Sequence, residues 1–148
     1  MKKKPILITR RIVSTEKNEL LILKLTAQER TKLRGKRKTM CGVDIVMQLP
    51  REGPLIPGEI LAGSDEIPQV LVEASIESLL QIQAHTTLDL IKAVYHLGNR
   101  HVDLEVHENK IYLNYDPVLE KMLLNRGLAV QKLKRTFQPE NGAYSHSH

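Results

Sequence analysis

The succession of hydrophobic periods in the second half of the chain constrains its fold more than any other feature of the sequence. A period of two predicts a strand, and a period near 3.6 predicts a helix. The predicted elements are a strand from Val70 to Ile82, a helix ending at Leu97, strands at 102–106 and 111–115, a helix between Asp116 and Gly127, and a strand from Leu128 to Lys134. The order βαββαβ is that of ferredoxin-like domains, in which two helices cover one face of an antiparallel sheet and leave the other face free for a partner.

Start and stop signals support both predicted helices. Thr86 or Thr87 can cap the first helix, and Gly98 is predicted to take the left-handed position at its end. The pair Asp116-Pro117 supplies a cap followed by proline at the first helical position, and Gly127 ends the second helix.

The first half of the chain predicts short strands separated by turn signals and no convincing helix. The predicted strands are Pro5 to Thr9, Leu20 to Leu25, Thr31 to Thr39, Val43 to Gln48, and Ile60-Leu61. Such a pattern indicates a small β-barrel or a pair of sheets. We therefore predict an α+β protein with an N-terminal β domain at 1–69, a ferredoxin-like domain at 70–141, and a flexible tail at 142–148.

The positive charge belongs to the first half. Residues 1–69 carry 14 Lys and Arg against 8 Asp and Glu, whereas residues 70–148 carry 8 against 9. The densest run extends from Arg30 to Lys38, and its spacing of two through Lys36 would place basic side chains along one face of a strand. A solvated strand face and a docking surface for an acidic protein partner or nucleic acid both fit this pattern.

Composition also limits the compartment and the chemistry. No run approaches the roughly 20 apolar residues of a membrane span, and the N-terminus does not resemble a signal peptide, so a cytoplasmic protein without membrane contact is expected. The single cysteine, Cys41, cannot form an internal disulfide and is predicted to be a small buried hydrophobe. Phosphate-loop, zinc-protease and nucleophile-elbow motifs are absent, which argues against an enzyme.

Histidines mark the candidate metal site. His101 ends a Gly-Asn-Arg-His run at the corner where the first helix gives way to a strand, and imidazole suits nickel, zinc and copper. One surface histidine cannot hold a metal tightly, so further ligands must come from a symmetry mate or a mobile segment. His146 and His148 alternate with serine in the tail, which can supply them, although an expression-tag remnant is an alternative origin. For His96, a capping or packing role is preferred to ligation.

The alternation after His101 is expected to place polar side chains on one side of a strand. These side chains are His101, Asp103, Glu105 and His107, opposite Val102, Leu104 and Val106. An RNA-binding module is the alternative function, since the N-terminal half is basic and RNA-recognition domains share the βαββαβ order. The first and last predicted strands of that domain lack the aromatic residues on which such modules stack bases.

Three motifs occur together and in order. They are Tyr95-His96-Leu97-Gly98-Asn99-Arg100-His101, then Tyr115-Asp116-Pro117-Val118-Leu119 with Gly127-Leu128, and finally Phe137-Gln138-Pro139-Glu140-Asn141-Gly142-Ala143-Tyr144 before the His-bearing tail. With these motifs the sequence resembles the UreE family of urease accessory proteins over essentially its whole length.

The resemblance implies a cytoplasmic nickel metallochaperone. Its N-terminal β domain would be likened to a chaperone peptide-binding domain, and its ferredoxin-like C-terminal domain would bind metal and form a homodimer. His101 of each protomer would meet at the interface, and the tail ligands of the family map onto His146 and His148. Ni(II) would pass through a complex with the GTPase UreG and other accessory proteins into the urease apoprotein.

This chain departs from some family members in two ways. Its tail carries two histidines where others carry long His-rich extensions, so nickel storage on a large scale is not expected. Tyr112, Asn114 and Tyr115 occupy positions where some members carry histidine, so auxiliary sites there are not expected. Zn(II) or Cu(II) would also bind in vitro, because imidazole suits all three metals and copper exceeds nickel in intrinsic affinity.

Overall fold

The computed structural model describes residues 4–15 and 19–141. This part of the chain is mixed α+β, with eleven strands and two α-helices, and contains no closed barrel. Contacts divide the chain into two compact units, Met1–Ser75 and Ile76–His148. The division lies six residues beyond the predicted boundary after Gln69.

The first unit contains two sheets. The three-stranded sheet has the order β1-β5-β4, and the four-stranded sheet has the order β2-β6-β7-β3. The strands are β1 (Ile6–Ile8), β2 (Arg10–Ile12), β3 (Leu21–Leu25), β4 (Arg34–Lys38), β5 (Asp44–Gln48), β6 (Ile60–Ala62) and β7 (Pro68–Ala74). Strands β1 and β5 pair in parallel, as do β3 and β7. Aliphatic side chains from both sheets, among them Ile8, Ile45, Met47 and Val72, form one buried core.

The single long strand predicted from Val70 to Ile82 is wrong. The structure has β7, which ends at Ala74, and a separate strand, β8 (Ile76–Gln83), in the other unit. The alternation of apolar residues continues across this junction, and neither glycine nor proline marks it. Hydrophobic periodicity alone could therefore not show that the chain changes sheets at Ser75.

The second unit has one sheet and two helices. Its elements after β8 are α1 (Thr87–Asn99), β9 (Glu105–Val106), β10 (Ile111–Asn114), α2 (Pro117–Asn125) and β11 (Ala129–Thr136). The strand order is β11-β8-β10-β9, and every pairing is antiparallel. Both helices contribute to one buried core with alternate residues of β8 and β10; its members include Leu80, Ile82, Leu90, Leu97, Ile111, Leu113, Leu119 and Leu123.

The predicted helix caps are confirmed. The Thr86 hydroxyl accepts the backbone N–H of Asp89 at 3.1 Å. A carboxylate oxygen of Asp116 accepts the N–H groups of Val118 and Leu119 at 2.8 and 3.0 Å. Each bond satisfies a helix N–H group that has no partner within the helix, which stabilises a helix by about 1 kcal/mol.

Three local predictions in the first unit need correction. Arg30 lies in a short 3-10 turn (Glu29–Thr31), is 2% exposed, and donates to the backbone oxygen of Leu25 at 2.9 Å. It therefore does not belong to the basic strand face, which begins with Arg34 on β4 at the edge of its sheet. Cys41 is exposed, not buried. Strand β2 was not predicted, because Arg10 and Arg11 interrupt the apolar pattern.

Neither helix in the described part of the chain combines the length and apolar character that crossing a bilayer requires.

Candidate metal centre

His101 ends α1 in a left-handed backbone conformation, with φ of 58°. Two hydrogen bonds close the helix: the N–H of His101 donates to Gly98 at 3.0 Å, and the N–H of Val102 donates to Leu97 at 3.1 Å. This pair of bonds defines a Schellman motif in which His101 occupies the left-handed position. The prediction that Gly98 takes that position is wrong, since Gly98 lies inside the helix.

The end of α2 repeats the same motif with a different residue. Leu128 donates to Leu123 at 3.3 Å, and Gly127, with φ of 79°, donates to Leu124 at 2.9 Å. Glycine is the usual residue here because a side chain costs about 1 kcal/mol in the left-handed region. The chain thus uses glycine at one helix end and histidine at the other. A residue held in a sparsely populated conformation points to a functional role for its side chain.

His101 is exposed at this corner, and the described residues around it do not complete a metal site. No group of three or more His, Cys, Asp or Glu side chains suited to a metal occurs in residues 4–15 and 19–141. His96 is half-buried and packs edge-on against Tyr95, with ring centroids 5.5 Å apart. Of the predicted ligands, His101 is placed at the helix corner, whereas His146 and His148 lie outside the described residues.

An exposed apolar stripe follows α1 toward His101. Leu88, Ile91 and Tyr95 are 59%, 58% and 64% exposed. Their spacing of three and four residues places them on one helix face. The stripe stops at Tyr95, about 6 Å before the helix ends at Asn99. Contiguous exposed apolar side chains of this kind mark an interaction surface.

A second cluster, which the sequence did not reveal, centres on Glu105. This residue begins β9 and is 6% exposed, whereas its neighbour Val106 is 41% exposed. The expected alternation, with Glu105 on a wet face and Val106 inside, is therefore wrong at this strand. Pairing places Glu105 directly opposite Tyr112 of β10, and Arg135 of β11 reaches the same carboxylate. These partners are 7 and 30 residues away, so local periodicity carries no signal for them.

The Glu105 carboxylate accepts three hydrogen bonds. One oxygen contacts Arg135 Nη1 at 2.8 Å and His107 Nε2 at 2.5 Å, and the other accepts the backbone N–H of Gln138 at 2.7 Å. The guanidinium of Arg135 also lies 4.1 Å from the centre of the Tyr112 ring. Burial raises the pKa of the Glu105 carboxyl, but the hydrogen bonds from Arg135, Gln138 and His107 outweigh it, so its pKa lies below the ordinary value.

The lowered pKa of Glu105 predicts an acid-dependent contribution to stability. The contribution is present above the ordinary glutamate pKa and is lost as the pH falls through the lowered folded-state pKa. We expect Glu105→Gln to reduce the free energy of unfolding by about 2 kcal/mol at pH 7. Urea denaturation from pH 7 to pH 3 should show this difference shrinking at the acid end. Glu108→Gln, at an exposed position, controls for net charge. A constant difference at every pH would contradict the assignment.

Comparison with known proteins decides the family. The family model described as "UreE urease accessory protein, C-terminal domain" matches residues 77–148. A protein named urease accessory protein UreE from Synechococcus sp. is 52% identical over 127 residues, which cover 85% of this chain and 82% of the relative. The chain belongs to the UreE family of urease accessory proteins. Another UreE, from Prochlorococcus marinus subsp. pastoris, is 39% identical over 97% of this chain and 94% of its own length.

The UreE match places both features described above within a known family. The matched segment includes the His101 corner and the Glu105 cluster, and it extends through the end of the chain. Membership in the UreE family makes this chain an accessory protein and not an enzyme. The resemblance predicted from the three motifs is thereby confirmed.

Proposed function

We propose that this UreE protein is a nickel metallochaperone that delivers Ni(II) for assembly of the dinuclear active site of urease. Family membership supports a role in urease maturation. The observation that supports metal binding is the conformation of His101. Its exposed imidazole is held at the end of α1 in the left-handed backbone position, where the end of α2 has glycine.

The metal is held between two protomers in this proposal. A pair of His101 rings, one from each chain, supplies ligands that a single chain lacks. The apolar stripe of Leu88, Ile91 and Tyr95 is the proposed contact between the two C-terminal units, because it is exposed and lies on the helix that leads to His101. A two-fold axis near the end of α1 would therefore bury the stripe and bring both rings together.

His146 and His148 are the proposed additional ligands. A pair of His101 rings is coordinatively incomplete, and histidines on a tether close the site without making it permanent. Such a site binds nickel and still releases it to the next protein. Ligation needs neutral imidazole, so protons compete with the metal and acid should weaken nickel binding. Zn(II) and Cu(II) are expected to occupy the same site in vitro.

The architecture of the second unit suits a metal-binding and dimerisation domain. We propose that it has the ferredoxin-like arrangement, since its elements follow the order βαββαβ and its sheet is antiparallel throughout. Both helices pack with one set of alternate strand residues. The unit thus serves as the metal-binding and dimerisation domain, with 142–148 as its His-containing tail.

The first unit is proposed to contact the maturation machinery. Strand β4 places Arg34, Lys36 and Lys38 at a sheet edge, all exposed. This basic edge is suited to an acidic surface of a protein partner, with the GTPase UreG and the urease apoprotein as the expected partners. The proposed location is the cytoplasm. Family membership gives no support to the RNA-binding alternative, which we do not retain.

Nickel titration of the intact protein tests the proposal. Calorimetry, with the mass of each sample fixed by light scattering, should give a dimer that binds about one nickel per two chains at a tight site. A monomer with no nickel binding, or one independent site on each chain, would overturn the interfacial model.

A further inference from the structure

The corner that carries His101 joins α1 to β9, a short strand at the edge of its sheet. Strand β9 pairs with β10 over two residues, Glu105 and Val106. Core strands open least readily, whereas a short edge strand with few ladder hydrogen bonds opens at a low free energy. The far end of the corner at 100–104 is therefore held firmly only if contacts besides the ladder support it.

The Glu105 carboxylate supplies such contacts from the opposite edge of the sheet. It is nearly buried and accepts hydrogen bonds from Arg135 of β11 at 2.8 Å and from the N–H of Gln138, just after β11, at 2.7 Å. The strand order β11-β8-β10-β9 places β11 and β9 at opposite edges. Beside these bonds, the N–H of Glu140 donates to the backbone oxygen of Leu104 at 2.7 Å. Because bonds to a carboxylate are stronger than neutral ones, Glu105 is the main attachment of this end of the corner.

The near end of the corner is held by α1. The N–H groups of His101 and Val102 close the helix in the Schellman motif described above. His101 has φ of 58°, a conformation that is costly for a residue with a side chain and persists only where the surrounding structure over-determines it. The helix constrains His101 from one side, and Glu105 constrains it from the other. The four residues from His101 to Glu105 span at most about 14 Å, so movement of Glu105 reaches His101 directly through the chain.

We propose that Glu105 is a positioning residue for nickel binding, because its bonds to Arg135 and Gln138 hold the corner at 100–104 and so keep the His101 imidazole where a second chain can share its metal. This inference rests on the proposed function, in which a pair of His101 rings binds nickel, and it involves no ligand other than His101. Metal ligands must be held within about 0.5 Å of the productive geometry. In a shared site each protomer has to meet this requirement, so a loosened corner weakens the site twice.

Nickel calorimetry on three variants of the full chain tests this role. In Glu105→Gln the amide has one oxygen where the carboxylate uses two, so it cannot accept both bonds. Glu59→Gln is the matched control, because Glu59 also joins an arginine, Arg11 at 3.3 Å, to a backbone N–H, that of Ile56 at 2.6 Å. It lies in the other unit and should leave nickel affinity unchanged. His101→Ala shows how much of the affinity depends on the His101 ring.

We expect Glu105→Gln to lower nickel affinity about tenfold, the lower end of the range for groups that orient a metal ligand, and to leave the dissociation constant of the metal-free dimer unchanged. Wild-type nickel affinity in Glu105→Gln, when His101→Ala has lost it, would overturn the positioning role alone. An equal weakening of the metal-free dimer would also overturn it, because the effect would then be general. If His101→Ala binds nickel as the wild type does, the His101 site of the proposed function fails, and the positioning role fails with it.

Amide hydrogen exchange gives a second readout that needs no metal. The N–H of Val102 closes α1, and the N–H of Leu128 makes the equivalent bond at the end of α2, so the second is an internal control. Glu105→Gln should speed exchange at Val102 by about tenfold and leave Leu128 unchanged. Should that variant not fold, Gln138→Pro removes one of the two bonds while Glu105 stays paired with Arg135, and it should reproduce both effects. Equal exchange at Val102 in the wild type and the folded variant would refute the positioning role.

Discussion

Replacing His101 with glycine should abolish the proposed interfacial nickel site and at the same time make the protein more stable. Loss of a group that merely orients a metal ligand costs about 10- to 100-fold in affinity, and this variant removes the ligand from both protomers. We therefore expect nickel affinity to fall by more than about 100-fold in calorimetric titrations. A variant with wild-type affinity would exclude His101 from the site.

The gain in stability has a separate physical cause. His101 has φ of 58°, and glycine removes the cost of a side chain in that conformation. The expected gain is about 1 kcal/mol, or a rise of about 2–4 °C in Tm for a chain of this size. His101→Ala removes the ring but retains the strained backbone, so it should lose nickel binding with little change in Tm. A less stable glycine variant would mean that contacts of the ring outweigh the strain.

The second helix provides the matched control. Gly127 occupies the same position of the same motif, and a Cβ placed there would meet no atom within 4 Å. Gly127→His should therefore cost about 1 kcal/mol through the backbone alone. Its nickel affinity should remain that of the wild type. The two reciprocal substitutions thus separate the conformational cost of a histidine from its role as a ligand.

The sequence predicts most elements of the second unit because its local signals agree with its tertiary structure. The caps at Thr86 and Asp116 lie at the start of apolar runs with helical spacing, and both are formed as predicted. The helix end was misassigned because Gly98, Asn99 and His101 all tolerate unusual backbone angles, and only hydrogen bonding decides among them. The left-handed position falls on His101, which strengthens its candidacy as a functional residue.

The remaining errors come from information that is not local. Glu105 is buried because Arg135 of β11 and Gln138, just after that strand, reach its carboxylate, and no pattern around residue 105 indicates those partners. Arg30 is buried because its guanidinium finds the backbone oxygen of Leu25. In both cases a charged residue lies inside because other groups of the protein satisfy its hydrogen bonds, which periodicity cannot reveal.

Placing a carboxylate on the apolar stripe should convert the proposed dimer into monomers. In Ile91→Asp, the two-fold axis would bring a new charge from each protomer into a surface that excludes water. Burying such unpaired charges costs several kcal/mol, so the dissociation constant of the dimer should rise by more than about 1000-fold. Light scattering and sedimentation over a range of protein concentrations would measure the change.

The control for this substitution is Val118→Asp. Val118 lies on α2 and is 68% exposed, more than Ile91 at 58%, so the same charge is added at an apolar surface position outside the stripe. Its dimer should dissociate as the wild type does. If Ile91→Asp stayed dimeric at every concentration, the contact between protomers would have to be sought on another surface.

Nickel should partly restore the dimer of Ile91→Asp, and this linkage tests the site and the interface together. A metal bound by one His101 from each chain binds the dimer better than the monomer, so dimerisation and nickel binding must strengthen each other by the same factor. Adding nickel should therefore raise the mass of the variant toward that of a dimer, and the combined change Ile91→Asp with His101→Gly should not respond. If nickel still produced a dimer of the double variant, the shared metal would have to be bound by other residues. If nickel produced no dimer, the apolar stripe and the His101 pair would belong to the same dimer interface.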